Sequence, residues 1–121
     1  MQFSREQPAI YAVRKYDAET VWVNDQPLRG SVAIAPQQIV HAFSCEQVAS
    51  LSTGHLQPLL DTNPEVIILA VGDSVVFPPA AVMREVQRQG IGIEVMNDGA
   101  AVRTYNVLLS EERAVVLALV R

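Results

Sequence analysis

Polar side chains gather around one predicted helix start in the C-terminal half of the chain. Asn97, Asp98 and Gly99 follow a short apolar run and are typical of the beginning of a helix. An arginine, a threonine, a tyrosine and an asparagine follow one turn later, at residues 103–106. The first turn of a helix exposes unpaired amide N–H groups and a partial positive charge. This combination therefore predicts a binding site for an anion or another polar ligand.

A second polar stretch, residues 72–74, comes directly after an apolar run at residues 65–71. In a parallel sheet the carboxyl ends of the strands meet at one edge, where α/β proteins bind ligands. We expect the two polar stretches to share a cleft at that edge. The candidate ligand-binding residues are Gly72, Asp73, Ser74, Asp98, Arg103, Tyr105 and Asn106.

A purely structural role for these residues is the alternative. Arg103 could pair with Asp98 or Asp73, and Tyr105 could pack in the core with a hydrogen-bonded hydroxyl. Consecutive helical residues also point about 100° apart, so residues 103–106 cannot all line one pocket.

No complete catalytic constellation accompanies the candidate cleft. Gly-Asp-Ser at residues 72–74 resembles the nucleophile block of the Gly-Asp-Ser lipases, whose serine needs a histidine base. Both histidines, His41 and His55, precede Ser74, and no Asp-x-x-His follows it. Cys45 is expected to be a small buried hydrophobe. We therefore predict no catalytic residue, no metal and no cofactor, which favours a non-enzymatic role and leaves catalysis open.

Composition limits the classes of partner. The chain has 121 residues, half of them apolar, which is enough for one hydrophobic core. Its formal charge of -4 supplies no basic stripe, so nucleic acid is not an expected partner. No apolar run reaches the roughly 18 residues that a membrane helix needs, and the N-terminus lacks a signal-peptide core. With a single cysteine, these features predict a cytoplasmic protein that does not insert into membranes.

The N-terminal half has the alternating pattern of antiparallel strands. Residues 1–8 are polar and are expected to form a flexible N-terminus, while residues 9–121 are expected to form a single α/β domain. Residues 21–23 and 28–34 alternate apolar with polar side chains, as hairpin strands do. An extended segment including His41 is predicted over residues 36–43. A short helix is predicted around residues 57–61, where glycine and proline interrupt the pattern.

The C-terminal half has the pattern of a parallel βαβαβ unit. The uninterrupted apolar run at residues 65–71 predicts the central parallel strand, covered on both faces. Pro79 and Gly90 bracket a helix, and a strand follows at residues 91–95. A second helix, capped by Asn97 or Asp98, leads to a final buried strand at residues 114–120. The predicted fold is one α/β domain, with this parallel half packed against an antiparallel β-rich N-terminal half.

Several separated blocks of the sequence resemble one family. They lie at residues 66–71, 77–79, 90–96 and 101–106. Together they are similar to a widespread family of small single-domain proteins of unassigned biochemistry, which includes the third assembly factor of mitochondrial respiratory complex I. The resemblance covers roughly residues 20–121 and implies a three-layer α/β domain with a mixed sheet and a pocket of unknown ligand at the helix start.

Two positions depart from the family pattern. The family commonly has Gly-Thr-Gly after the central strand, whereas this chain has Ala70, Val71 and Gly72. The family commonly has threonine at the helix cap, where this chain has Asp98. The first change weakens a backbone cradle for phosphate, and the second adds negative charge, so both lower the expected affinity for anions.

Two classes of function follow from the sequence. The favoured one is a non-catalytic binding or assembly-type protein with a protein partner, as the family resemblance implies. The alternative is a small-ligand-binding protein or enzyme that uses the cleft between residues 72–74 and 98–106. A plain structural homodimer is a third hypothesis.

Overall fold

The computed structural model describes residues 10–121, so the expected flexible segment at residues 1–8 lies outside the described residues. Eight strands and three α-helices form within this range. The strands are β1 (Val13–Tyr16), β2 (Thr20–Val23), β3 (Gln26–Arg29), β4 (Val32–Ala35), β5 (Gln38–Val40), β6 (Val66–Ala70), β7 (Gly92–Met96) and β8 (Val115–Leu119). The helices are α1 (Thr53–Leu60), α2 (Ala80–Arg88) and α3 (Asp98–Ser110).

The strands form two sheets. A five-stranded mixed sheet has the order β5-β4-β8-β6-β7, in which β6 runs parallel to β7 and β8 while β4 and β5 are antiparallel. A separate three-stranded antiparallel sheet has the order β1-β2-β3. The predicted α/β domain with a parallel βαβαβ half and an antiparallel N-terminal half is confirmed, and β6 is the middle one of the three parallel strands.

Both faces of the five-stranded sheet are covered, which gives three layers. On one face, Ile67 and Leu69 of β6 pack in a core that includes residues of α1 and α2. On the other face, Ile68 and Ala70 pack against α3 and the three-stranded sheet. Because successive side chains of a strand point to opposite faces, a strand buried on both faces needs an uninterrupted apolar run.

The structure corrects two local predictions. Helix α1 begins at Thr53, earlier than the predicted residues 57–61, because Ser52 and His55 form a capping box. The Ser52 hydroxyl accepts the His55 amide N–H at 3.2 Å, and His55 Nδ1 accepts the Ser52 N–H at 2.9 Å. The extended segment predicted over residues 36–43 is shorter, since β5 ends at Val40 and His41 lies exposed in the following turn.

Helix α3 is fastened to the three-stranded sheet by two neighbouring side chains. Tyr105 is fully buried, and its hydroxyl donates a hydrogen bond to the Tyr11 carbonyl at 2.6 Å. Asn106 binds both backbone groups of Val13: its Oδ1 accepts the N–H at 3.1 Å and its Nδ2 donates to the carbonyl at 2.9 Å. Burial raises the pKa of Tyr105 above its ordinary value, so the hydroxyl stays a hydrogen-bond donor.

Asn106→Ala tests this attachment. The change leaves two backbone groups of Val13 without their partners, so we expect the free energy of unfolding to fall by about 2 kcal/mol. Urea unfolding measures the loss, and Val107→Ala, at an exposed neighbouring position, is the matched control. Equal stability of the two variants would contradict the role assigned to Asn106.

Candidate functional site

The two polar stretches singled out in the sequence meet at the carboxyl edge of the parallel strands. The Asp98 amide N–H donates to the Gly72 carbonyl at 2.9 Å, and the Gly72 N–H donates to Asp98 Oδ1 at 2.9 Å. This reciprocal pair joins the loop that follows β6 to the beginning of α3. The expected proximity of these two corners is therefore observed.

The two hydrogen bonds between Gly72 and Asp98 require an unusual backbone conformation at Gly72. Its φ is 100°, a region that residues with a Cβ rarely adopt. A Cβ added there would meet no other heavy atom within 4 Å, so the requirement concerns the backbone conformation and not space.

Asp98 also forms a buried ion pair. Its Oδ2 lies 3.1 Å from Nη2 of Arg121, and the two side chains are only 9% and 8% exposed. The Arg121 backbone is held in turn, because its N–H donates to the Cys45 carbonyl and its carbonyl accepts the Ser31 hydroxyl. Arg121, and not Arg103, is therefore the partner of Asp98, which corrects the ion-pair alternative proposed from the sequence.

The cap of α3 is Asn97. Its Oδ1 accepts the Ala100 amide N–H at 2.9 Å, which is the bond expected of a capping residue. Of the two capping residues predicted from the sequence, Asn97 is therefore confirmed, and Asp98 is instead the first helical residue. Because Asn97 caps the helix, both carboxylate oxygens of Asp98 are available to Gly72 and Arg121.

A cleft of about 420 Å³ opens at this edge. The turn between β1 and β2 forms one side of it, while the β6 loop, the start of α3 and the end of β8 form the rest. The lining residues are Tyr16, Asp17, Ala18, Gly72, Asp73, Asp98, Val120 and Arg121.

The sequence-predicted site residues separate into two groups. Gly72, Asp73 and Asp98 line the cleft, whereas Ser74 and Arg103 are exposed and are not among its lining residues. Tyr105 and Asn106 bind the backbone of Tyr11 and Val13, as described above, and do not line it either.

Sequence reasoning missed two contributors to the cleft, Arg121 and the turn at residues 16–18. Arg121 follows β8 at the same edge as the other parallel strands, so the topology rule that brought Gly72 and Asp98 together could have included it. The turn carries no comparable indication, because the position of the small sheet depends on tertiary packing.

Most of the charged side chains that line the cleft are acidic. The amide N–H groups of Glu19 and Thr20 hold the pKa of Asp17 below its ordinary value, and the positive charge of Arg121 acts in the same direction. Asp73 is exposed to solvent. Among the described residues that line the cleft, three carboxylates therefore accompany one guanidinium, that of Arg121. Such an arrangement can bind a polar molecule by charge and hydrogen bonds.

Cys45 is a structural residue. Its side chain is buried, and burial raises the pKa of the thiol, which lowers the fraction of reactive thiolate. Among residues 10–121, no group of histidine, cysteine, aspartate and glutamate side chains has a metal-binding arrangement.

A second feature lies beside the cleft, in the loop between Gly72 and α2. Val75, Val76 and Phe77 are consecutive and are 44%, 50% and 65% exposed. We call residues 75–77 the apolar loop. Pro78, which follows it, is buried and anchors the loop to the domain.

Fold and site together define the class of protein: a small three-layer α/β domain with a polar cleft and an exposed apolar loop at one edge of its mixed sheet. The model of a family described as protein of unknown function (DUF498/DUF598) matches residues 13–120, and the chain belongs to that family.

Named relatives support the resemblance found in the sequence. The chain is 30% identical over 120 residues to NADH dehydrogenase [ubiquinone] 1 alpha subcomplex assembly factor 3 of Danio rerio, covering 96% of this chain and 67% of that protein. It is also 30% identical over 81 residues to a 13 kDa major membrane protein of Francisella tularensis, covering 67% and 66% of the two chains. The chain thus spans about two thirds of the length of these curated relatives.

A solved structure shows the same fold. The NMR structure of a Xanthomonas campestris protein is 38% identical in sequence and superimposes with a TM-score of 0.82, covering 91% of this chain and 83% of that one. Over residues 10–121, no helix combines the length and apolar character that crossing a bilayer requires.

Asp98→Ala tests the buried ion pair. The substitution leaves the Arg121 guanidinium buried without its carboxylate, so we expect the free energy of unfolding to fall by about 3–5 kcal/mol at neutral pH. Urea unfolding measures this loss. Asp73→Ala, at an exposed position on the same edge, is the control and should change stability by about 0.5 kcal/mol or less. A loss no larger for Asp98→Ala than for the control would rule out a structural role for the pair.

Proposed function

We propose that the protein is a non-catalytic, assembly-type binding protein, and that the apolar loop at residues 75–77 contacts its protein partner. The observation that carries this proposal is the exposure of three consecutive large apolar side chains, whereas the other exposed large apolar residues of the described part of the chain, Ile10, Tyr16 and Val107, are not consecutive in sequence. Exposed apolar patches on small domains commonly mark interaction surfaces.

The loop is suited to binding because both of its ends are fixed. Gly72 is held by its two hydrogen bonds to Asp98, and the buried Pro78 leads directly into α2. A loop held in this way loses less conformational entropy when a partner orders it. Phe77 is the most exposed of the three side chains, and aromatic residues are frequent anchors of protein interfaces. The expected partner surface is an apolar pocket that accepts a phenyl ring.

The relatives support a protein partner. The name of the Danio rerio relative describes that protein as an assembly factor of the NADH dehydrogenase 1 alpha subcomplex. For this chain we propose the more general role, binding another protein during the assembly of a complex. We place the interaction in the cytoplasm, because the chain has a single cysteine and so no internal disulfide.

Phe77→Ser tests the proposal. The full chain, carrying an affinity tag, is cross-linked in lysate of its source cells, and the captured proteins are identified by mass spectrometry. We expect Phe77→Ser to reduce capture of the specific partner at least tenfold, because the aromatic anchor is lost. Val107→Ser, at an isolated position that is 54% exposed on α3, is the matched control and should capture the partner normally.

Equal capture by the wild-type protein and Phe77→Ser would overturn the assignment of the loop. Two further measurements distinguish other surfaces that the apolar loop could contact. Binding of the purified chain to lipid vesicles that Phe77→Ser abolishes would identify a membrane surface, and a concentration-dependent dimer that Phe77→Ser abolishes would identify a second copy of the chain. Either result would replace the protein partner proposed here.

A further inference from the structure

We propose that the free edge of β7 binds an extended segment of another protein as an added strand, with a lysine or arginine of that segment opposite Glu94. The proposal rests on the protein-binding role proposed above, but it concerns backbone groups of the sheet and not Phe77. Loss of capture by Phe77→Ser and loss of strand addition at β7 are therefore separate results.

β7 is an open edge of the five-stranded sheet. It follows β6 in the strand order and has no neighbour on its other side in the part of the chain that the structure describes. The Gly92 N–H donates to the Glu65 carbonyl at 2.9 Å, and the Met96 carbonyl accepts the Val71 N–H at 3.1 Å. Because the hydrogen-bonding groups of successive residues alternate between the two sides of a strand, those of Gly92, Glu94 and Met96 face β6.

Ile93 and Val95 consequently direct their N–H and C=O groups away from β6. No backbone group within residues 10–121 is bonded to them on that side. Ile93 is only 4% exposed because its side chain packs in the core with α1 and α2, whereas Val95 is half-buried and Glu94 between them is exposed. Backbone groups without a protein partner have to bond to water or to a binding partner. These groups are therefore a template for one further strand.

The other edge strands of the two sheets each carry a feature that hinders strand addition. β5 has only three residues, and β3 includes Pro27, which has no N–H to donate. On β1, the Asn106 side chain binds both backbone groups of Val13. β7 has five residues in regular register and no proline. Because short length, proline and covered backbone groups are the usual protection of edge strands, β7 is the edge that remains available.

Glu94 selects the kind of segment that can be added. It is the only charged residue of β7, and its side chain is exposed. A residue opposite Glu94 lies on the same face of the sheet, where a cationic side chain is favourable and another carboxylate is unfavourable. The residues on either side of it would lie next to Ile93 and Val95, on the face that α2 covers, where apolar side chains extend the core. The expected segment therefore has a lysine or arginine between two apolar residues.

A second copy of the chain fits this edge poorly. Two antiparallel β7 strands that use all of the outward groups would bond Ile93 of one copy to Val95 of the other. That register places the two Glu94 carboxylates directly opposite each other, which destabilises the pair. The charge that favours a basic partner thus opposes pairing of β7 with itself.

Nuclear magnetic resonance of the isotopically labelled full chain tests the proposal. The probe is the capped peptide Thr-Val-Thr-Val-Lys-Val-Thr-Val-Thr, and the amide signals of Ile93 and Val95 are followed. We expect both signals to shift saturably at millimolar concentration or below. The same peptide with methylated backbone nitrogens in its central Val-Lys-Val loses ladder hydrogen bonds and should bind at least about tenfold more weakly. Equal binding of the two peptides would exclude strand addition.

Glu94→Lys and Glu46→Lys are the matched variants. Both glutamates are exposed, but Glu46 lies in the loop that follows β5, the strand at the opposite edge of the sheet. We expect Glu94→Lys to bind the lysine peptide at least about threefold more weakly, and to prefer the same peptide with glutamate in place of lysine. Glu46→Lys should keep the preference of the wild-type protein.

Three further results would overturn the proposal. One is the absence of saturable shifts at Ile93 and Val95. A second is the same preference for the lysine peptide in Glu94→Lys as in the wild-type protein. The third is a shift of both signals when the protein alone is diluted, together with a dimer in analytical ultracentrifugation, which would identify a second copy of the chain as the occupant of the edge.

Discussion

The carboxylate of Asp98 is the constraint on which the functional edge of this domain depends. One of its oxygens accepts the Gly72 amide N–H after β6, and the other accepts Nη2 of Arg121 after β8. The residue itself begins α3 directly after β7. The ends of all three parallel strands are therefore connected through one buried charged group. Because an unpaired charge is costly in such surroundings, the three chain segments have to stay together.

The Asp98 carboxylate also helps to position the other elements at this edge of the sheet. Asp98 fixes the start of α3. Farther along the helix, Tyr105 binds Tyr11, which precedes β1, and Asn106 binds Val13, the first residue of β1. The small sheet is thereby held so that its β1–β2 turn forms one side of the cleft. Gly72 begins the loop that carries the exposed residues 75–77, so the cleft and the apolar loop share one support. The Asp98–Arg121 ion pair thus supports both the cleft and the apolar loop.

Local patterns in the sequence predicted much of the fold. The uninterrupted apolar run at residues 65–71 predicts a strand covered on both faces, and Pro79 with Gly90 brackets α2. The parallel topology also predicted that Gly72 and Asp98 would meet. The sequence did not predict the partner of Asp98, because Arg121 lies 23 residues away and the pairing depends on the strand order β8-β6-β7.

The roles of Tyr105 and Asn106 were not decided by the sequence for a related reason. The helical period shows that four consecutive residues point in different directions, but it does not say which of them face a separate sheet. The most direct test of the central role of Asp98 is a double-mutant cycle with Asp98→Asn and Arg121→Met, measured by urea unfolding. A coupling free energy of about 1–3 kcal/mol is predicted for this buried pair, and additivity within about 0.5 kcal/mol would contradict it.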